Sequence, residues 1–133
     1  MQTQDIINLG IGTKDKASLK PAKVKIVSVT IKTKTNDGTE MKTPLAEINV
    51  KHPDREDLVS LTKCKVERNG KLDIVSTWVQ IEEENGIKKI VKSSALALLM
   101  SFLKVQTLEG LYGREVEAVE QSKEDTYLCI KAY

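Results

Sequence analysis

Arg68-Asn69-Gly70-Lys71 sets Asn-Gly between two runs of alternating polarity, and no other stretch restricts the fold of this chain so tightly. Both central residues of a type I′ turn need positive φ, which Asn and Gly accept at the lowest cost. A two-residue loop also fixes register, so residues 58–81 read as one long hairpin with assignable partners. On one face Val66 is expected opposite Asp73, Cys64 opposite Val75, Ser60 opposite Val79 and Leu58 opposite Ile81. On the other face Glu67 meets Leu72, Lys65 meets Ile74, Lys63 meets Ser76 and Leu61 meets Trp78. The first face is mostly apolar. The second combines Lys63 and Lys65 with the only Trp of the chain. Cations and an aromatic on one sheet face suit a single strand of nucleic acid, which is held by its phosphates and by base stacking.

The rest of the chain supplies further strands and one helix. Residues 1–20 form a separate N-terminal segment, read as a tail or an added edge strand, and the domain proper runs from 21 to 133. In residues 23–34 the apolar phase changes, from Val24 and Ile26 to Val27, Val29 and Ile31. A side-chain period of two allows this only with an extra residue, so a β-bulge is expected near Ile26-Val27. Asn36-Asp37-Gly38 makes the next turn. A second strand runs from Pro44 to Lys51, with Ala46, Ile48 and Val50 inward and Pro44 at its start. His52-Pro53-Asp54 breaks it. After the hairpin, Glu84-Asn85-Gly86 turns into a short strand at 87–91. Ser93 or Ser94 then caps a helix whose Ala95, Leu98, Leu99, Phe102 and Leu103 share one face. A short helical turn at 107–111 stops at Gly113, and strands at 114–120 and 126–133 close the domain.

This order is mainly β, with a single helix before the two closing strands. It resembles the OB-fold, a small, partly open five-stranded barrel with a helix between its third and fourth strands. The stretch from Ser93-Ser94-Ala95 through Gly113-Arg114-Glu115 to Tyr127–Tyr133 is also similar to small uncharacterised proteins from phages and archaea. The resemblance spans about residues 22–133 and implies binding of single-stranded DNA, RNA or other proteins. The chain ends inside a strand, without the acidic tail by which bacterial single-strand binding proteins recruit partners.

Composition narrows the choice. The 133 residues fit one domain, and a net charge of only +2 confines any nucleic-acid site to a local patch. Cys64 and Cys129 have no CxxC spacing and read as buried thiols in a reducing, cytoplasmic setting. No apolar run reaches membrane length. A single His, His52, offers no triad and reads as a solvated turn residue; with the two Cys it lacks metal-ligand spacing. Glu82-Glu83-Glu84 reads as a solvated turn. Gly10-Ile11-Gly12 lacks the third Gly and preceding strand of a dinucleotide loop. No catalytic residue, metal or cofactor is expected, and the chain reads as a non-enzyme.

The candidate binding residues are therefore Lys25, Lys32, Lys51, Lys63, Lys65, Arg68, Trp78 and Tyr127. Two roles stay open for Trp78, a stacking platform or a core side chain beneath the helix. Two functions stay open as well. One is single-stranded nucleic-acid binding, DNA before RNA, with little sequence preference. The other is a protein adaptor or structural subunit of a viral or replication assembly that self-associates through strand edges at 44–51 or 126–133. A small-molecule barrel is a weaker third, lacking convergent polar residues.

Overall fold

The computed structural model describes residues 6–11, 19–122 and 127–133. Among the described residues nine strands form: β1 (Ala22–Lys34), β2 (Glu40–Lys51), β3 (Val59–Leu61), β4 (Lys63–Arg68), β5 (Lys71–Ser76), β6 (Ile81–Glu84), β7 (Ile87–Ile90), β8 (Glu115–Glu120) and β9 (Leu128–Lys131). A helix, α1 (Ala95–Leu103), and a 3-10 turn at Glu109–Leu111 lie between β7 and β8. Seven strands make one sheet in the order β3-β2-β1-β8-β9-β4-β5, and β6–β7 form a separate two-stranded ribbon. All pairings are antiparallel except β4 with β9.

The phase change in β1 is a bulge. Ile26 pairs with Val50 and Ser28 with Asn49, leaving Val27 as the extra residue. Before the bulge β1 serves both neighbours, β2 on one edge and β8 on the other. Gly113 N–H donates to the Ile26 carbonyl at 2.7 Å, and Ile26 N–H to the Arg114 carbonyl at 2.8 Å, which docks the 3-10 turn there. Gly113 has φ of +83°, a conformation that favours glycine. Of the second apolar set only Val29 packs on the core, while Val27 and Ile31 are exposed.

The Asn-Gly turn forms with φ of +51° at Asn69 and +77° at Gly70. Its partners are those expected from Arg68–Lys71 to Lys63–Ser76. Beyond that the hairpin divides. Val59, Ser60 and Leu61 pair with β2 instead of with residues 78–81. Leu61 does not face Trp78, which bridges to Leu45, and Ile81 pairs with Ile90. Thr77 explains the change. It is fully buried, its N–H donates to the Thr62 carbonyl at 2.8 Å, and its hydroxyl donates to the Ala46 carbonyl at 2.5 Å. Ala46 N–H returns to the Thr77 carbonyl at 2.9 Å. The chain therefore leaves β4 at this point and takes β2 as its partner.

The hydrogen-bonded sheet is open, so a closed barrel is not formed. Its terminal strand β3 and its sixth strand β4 are nonetheless consecutive in the chain, separated by Thr62 alone. The strands proposed as self-association edges are interior: β2 lies between β3 and β1, and β9 between β8 and β4. The open edges are those of the short β3 and of β5.

Ala46, Ile48 and Val50 are buried as expected, against Val24, Ile26, Cys64, Val66, Val116, Ala118 and Ile130. Each large apolar side chain removed from water stabilises the fold by about 1.5–3 kcal/mol. Pro44 lies inside β2 and not at its start, in the irregular stretch between the Lys34–Glu40 and Lys32–Leu45 pairs, where a missing N–H breaks no ladder bond. Ser94 caps α1, its side chain accepting from Ala97 N–H. The buried face of α1 is Ala95, Leu96, Leu99, Met100 and Leu103; Phe102 is exposed, because the stripe is rotated by one residue from the expected set. Residues 6–11 are exposed and belong to no strand. Gly12, residues 13–18 and the 123–126 part of the closing connection lie outside the described residues.

Candidate functional site

Ala46, Ile48 and Val50 point to the core, so Leu45, Glu47, Asn49 and Lys51 face outward on β2. The ladders give each an outward neighbour on β1: Lys32 beside Leu45, Thr30 beside Glu47, Ser28 beside Asn49 and Lys25 beside Lys51. Trp78 bridges to the far side of Leu45, giving the row Lys32–Leu45–Trp78. Ser76 and Trp78 flank the buried Thr77 and face outward together, with Lys63 opposite Ser76.

Trp78 is therefore on the outer face and is 38% exposed, not packed beneath the helix. A hollow of about 260 Å³ beside it is lined by Met41, Lys42, Thr43 and Gln80. Lys65 lies between Lys131 and Ile74, and Lys131 reaches Glu117 at 3.4 Å and the Tyr133 ring at 4.9 Å. Among the described residues the ion pairs are Lys131–Glu117 and Lys89–Glu84. Lys25, Lys32, Lys51, Lys63 and Lys65 thus have no carboxylate at ion-pair distance there. Lys32 donates to the Asn36 side chain at 3.2 Å and Lys51 to the His52 carbonyl at 3.2 Å.

Two candidates fall outside this grouping. Arg68 Nη2 donates to the Ser93 carbonyl at 2.6 Å and ties the hairpin tip to the start of α1. Tyr127, 74% exposed, precedes β9 at the end opposite Lys131.

His52 corrects the solvated-turn expectation, being only 1% exposed. Its Nδ1 accepts from Asp54 N–H at 3.1 Å, which leaves Nε2–H to donate to the Lys20 carbonyl at 2.7 Å. The ring fastens the entry of β1 to the end of β2 and has no exposed nitrogen for base chemistry. Both cysteines are buried thiols, and burial, with Cys129 nearby, pushes Cys64 up to about 12. The Thr35 hydroxyl and Thr39 N–H, both donating to Asp37, hold its carboxyl down at about 2. Glu82 and Glu83 pair with Lys89 and Lys88 across the β6–β7 ribbon and do not form a turn. Among the described residues no group of three or more His, Cys, Asp or Glu side chains could hold a metal, and no helix is long and apolar enough to cross a membrane.

Attention to cations and aromatics misses the polar centre of this face. Asn49 Nδ2 donates to Ser28 Oγ at 3.1 Å and to Thr30 Oγ1 at 2.9 Å, while Ser60 donates to Asn49 Oδ1 at 2.7 Å. The strand period alone would have placed Asn49 outward, between Lys51 and Glu47. No family model, no curated protein and no solved structure matches this chain.

Proposed function

We propose that the chain binds single-stranded nucleic acid, DNA before RNA, across the outer face of β1, β2 and residues 76–78, without catalysis. The observation that carries this is the exposed Trp78 between two cations on one surface, Lys32 across Leu45 and Lys63 across Ser76. Cations without carboxylate partners repel one another and gain from an anionic ligand. A base stacked on an aromatic contributes about 1–3 kcal/mol. Along β2, from Leu45 to Lys51, the face extends about 20 Å, room for a few nucleotides. The phosphate contacts are Lys25, Lys32, Lys51, Lys63 and Lys65. Arg68 and Tyr127 are left out of this reading.

An OB-like architecture accompanies the proposal. It is supported by β1 pairing with both β2 and β8, by the parallel β9–β4 contact, and by α1 preceding the two closing strands. In this reading Thr77, hydrogen-bonded to both Thr62 and Ala46, spans the gap in the barrel between Thr62 and β2.

Trp78 fluorescence reports binding. Titration with oligo-dT at low salt should quench it saturably, and added salt should weaken binding in proportion to the phosphates neutralised. Trp78→Ala, followed by oligonucleotide mobility, should lose about tenfold or more in affinity with an unchanged melting temperature. Retained affinity, or a loss that tracks unfolding, would sink the platform.

The open β5 edge favours a second reading, a protein adaptor or self-assembling subunit, because Leu72 and Ile74 are exposed on it. Salt-independent oligomers in light scattering, with no oligonucleotide binding, would support that reading instead.

A further inference from the structure

Glu47 stands in the middle of the cationic face, half-buried, without an ion-pair partner among the described residues. Its direct outward neighbour is Thr30. A carboxylate here repels a phosphate but accepts N–H groups. The hydroxyls beside it are donors. Asn49 has two amide protons, and Ser28 and Thr30 accept one each, which leaves their own O–H protons available to donate. Two carboxylate acceptors and hydroxyl donors thus lie together, one side-chain repeat of about 7 Å along β2 from the Trp78 row.

We propose that Glu47 and Thr30 form a guanine-preferring subsite for the base next to the one stacked on Trp78, an inference that rests on the nucleic-acid reading above. Guanine alone among the common bases presents two adjacent N–H donors, at N1 and N2, beside a carbonyl acceptor at O6. Glu47 accepts both N–H groups, and the Thr30 hydroxyl, which accepts from Asn49 and keeps its own proton to donate, donates to O6. Adenine and cytosine each offer a single amino N–H on that edge. Thymine offers a single N3–H flanked by two carbonyl oxygens that repel the carboxylate. Phosphates on either side are held by Lys32 and by the Lys25–Lys51 pair. The face is then selective at one position and indifferent elsewhere.

The test is titration of the intact protein with oligo-dT and with the same strand carrying one central guanine, adenine or hypoxanthine, read by Trp78 fluorescence. Guanine should bind about tenfold more tightly than adenine or thymine, with hypoxanthine, which lacks the N2 amino group, between them. Glu47→Ala should abolish the preference while tightening oligo-dT binding, because a repulsive charge is gone. Those opposite signs separate base reading from general electrostatics. Glu47→Gln, which keeps the side-chain shape, should also lose most of the preference, and Thr30→Val should reduce it. Equal affinity for all four strands overturns the subsite and leaves the nucleic-acid reading standing. Absence of binding to any strand overturns both.

Discussion

Two hairpins in this molecule share a turn and a register and differ in how they dock. β4–β5 and β6–β7 are each closed by Asn-Gly, with φ of +51° and +77° in the first and +53° and +77° in the second. Each has the register that a two-residue loop dictates. Yet β4–β5 is built into the main sheet, while β6–β7 forms a sheet of its own, with Ile90 packed on the core but Ile81 and Ile87 exposed. The difference lies in the strands. β4 alternates Lys63, Cys64, Lys65, Val66, and its two small apolar residues are buried in the core. β6 reads Ile-Glu-Glu-Glu and offers no second apolar residue to bury. A turn fixes pairing, and a hydrophobic face fixes docking; an isolated two-stranded ribbon is marginal in water.

The sharpest way to break this comparison is thiol labelling. Cys64 is buried and its thiol pushed up to about 12, so under native conditions it should react only when the sheet opens. A cysteine placed in the ribbon by Ile87→Cys should label faster by on the order of 10³ or more, given ordinary domain stability. Comparable rates at both positions would mean that β4–β5 is no better anchored than the ribbon.

Core truncation tests the same point through equilibrium stability. Val66→Ala should cost about 2 kcal/mol in urea unfolding. Ile87→Ala should stay within about 0.5 kcal/mol. A large loss from the second would show that the ribbon packs on something that its exposure does not reveal.

The turns give the smallest effect. Gly70→Ala and Gly86→Ala both force a Cβ into the left-handed region, at a local cost of about 1 kcal/mol. In the docked hairpin that cost should appear in global unfolding. In the ribbon it should appear only as faster amide exchange of residues 81–90, with the global midpoint unchanged. Equal shifts in midpoint would make the two hairpins one cooperative unit.

Much of this was legible beforehand. The bulge at Val27 follows from a phase change that a period-two strand cannot otherwise absorb. The Asn-Gly register followed from turn geometry, and Ala46, Ile48 and Val50 from alternation. The errors share one cause. Trp78 opposite Leu61, a solvated His52 and Phe102 facing the core all assumed that a residue's surroundings follow from its own segment. Thr77 instead exchanges one strand partner for another, His52 is buried by the Lys20 carbonyl 32 residues away, and the helix rotates to fit the sheet it covers.

The candidate site divides along the same line. Outward placement of Lys25, Lys32, Lys51, Lys63 and Lys65 was readable, because period two assigns faces within each strand. Adjacency was not. Lys32 and Trp78 meet across Leu45 only because the chain crosses from β4 to β2 at Thr77, and Arg68 leaves the group because Ser93 happens to lie within its reach. The amino-acid sequence by itself determined the Asn-Gly turns, the phases of β1 and β2, the bulge and the start of the helix to within one residue, since each depends on φ, ψ and side-chain period within a few residues. Only the tertiary structure decided which strands became neighbours, which edge stayed open and which polar groups converged on Asn49, because those outcomes depend on burial shared between segments far apart in the chain.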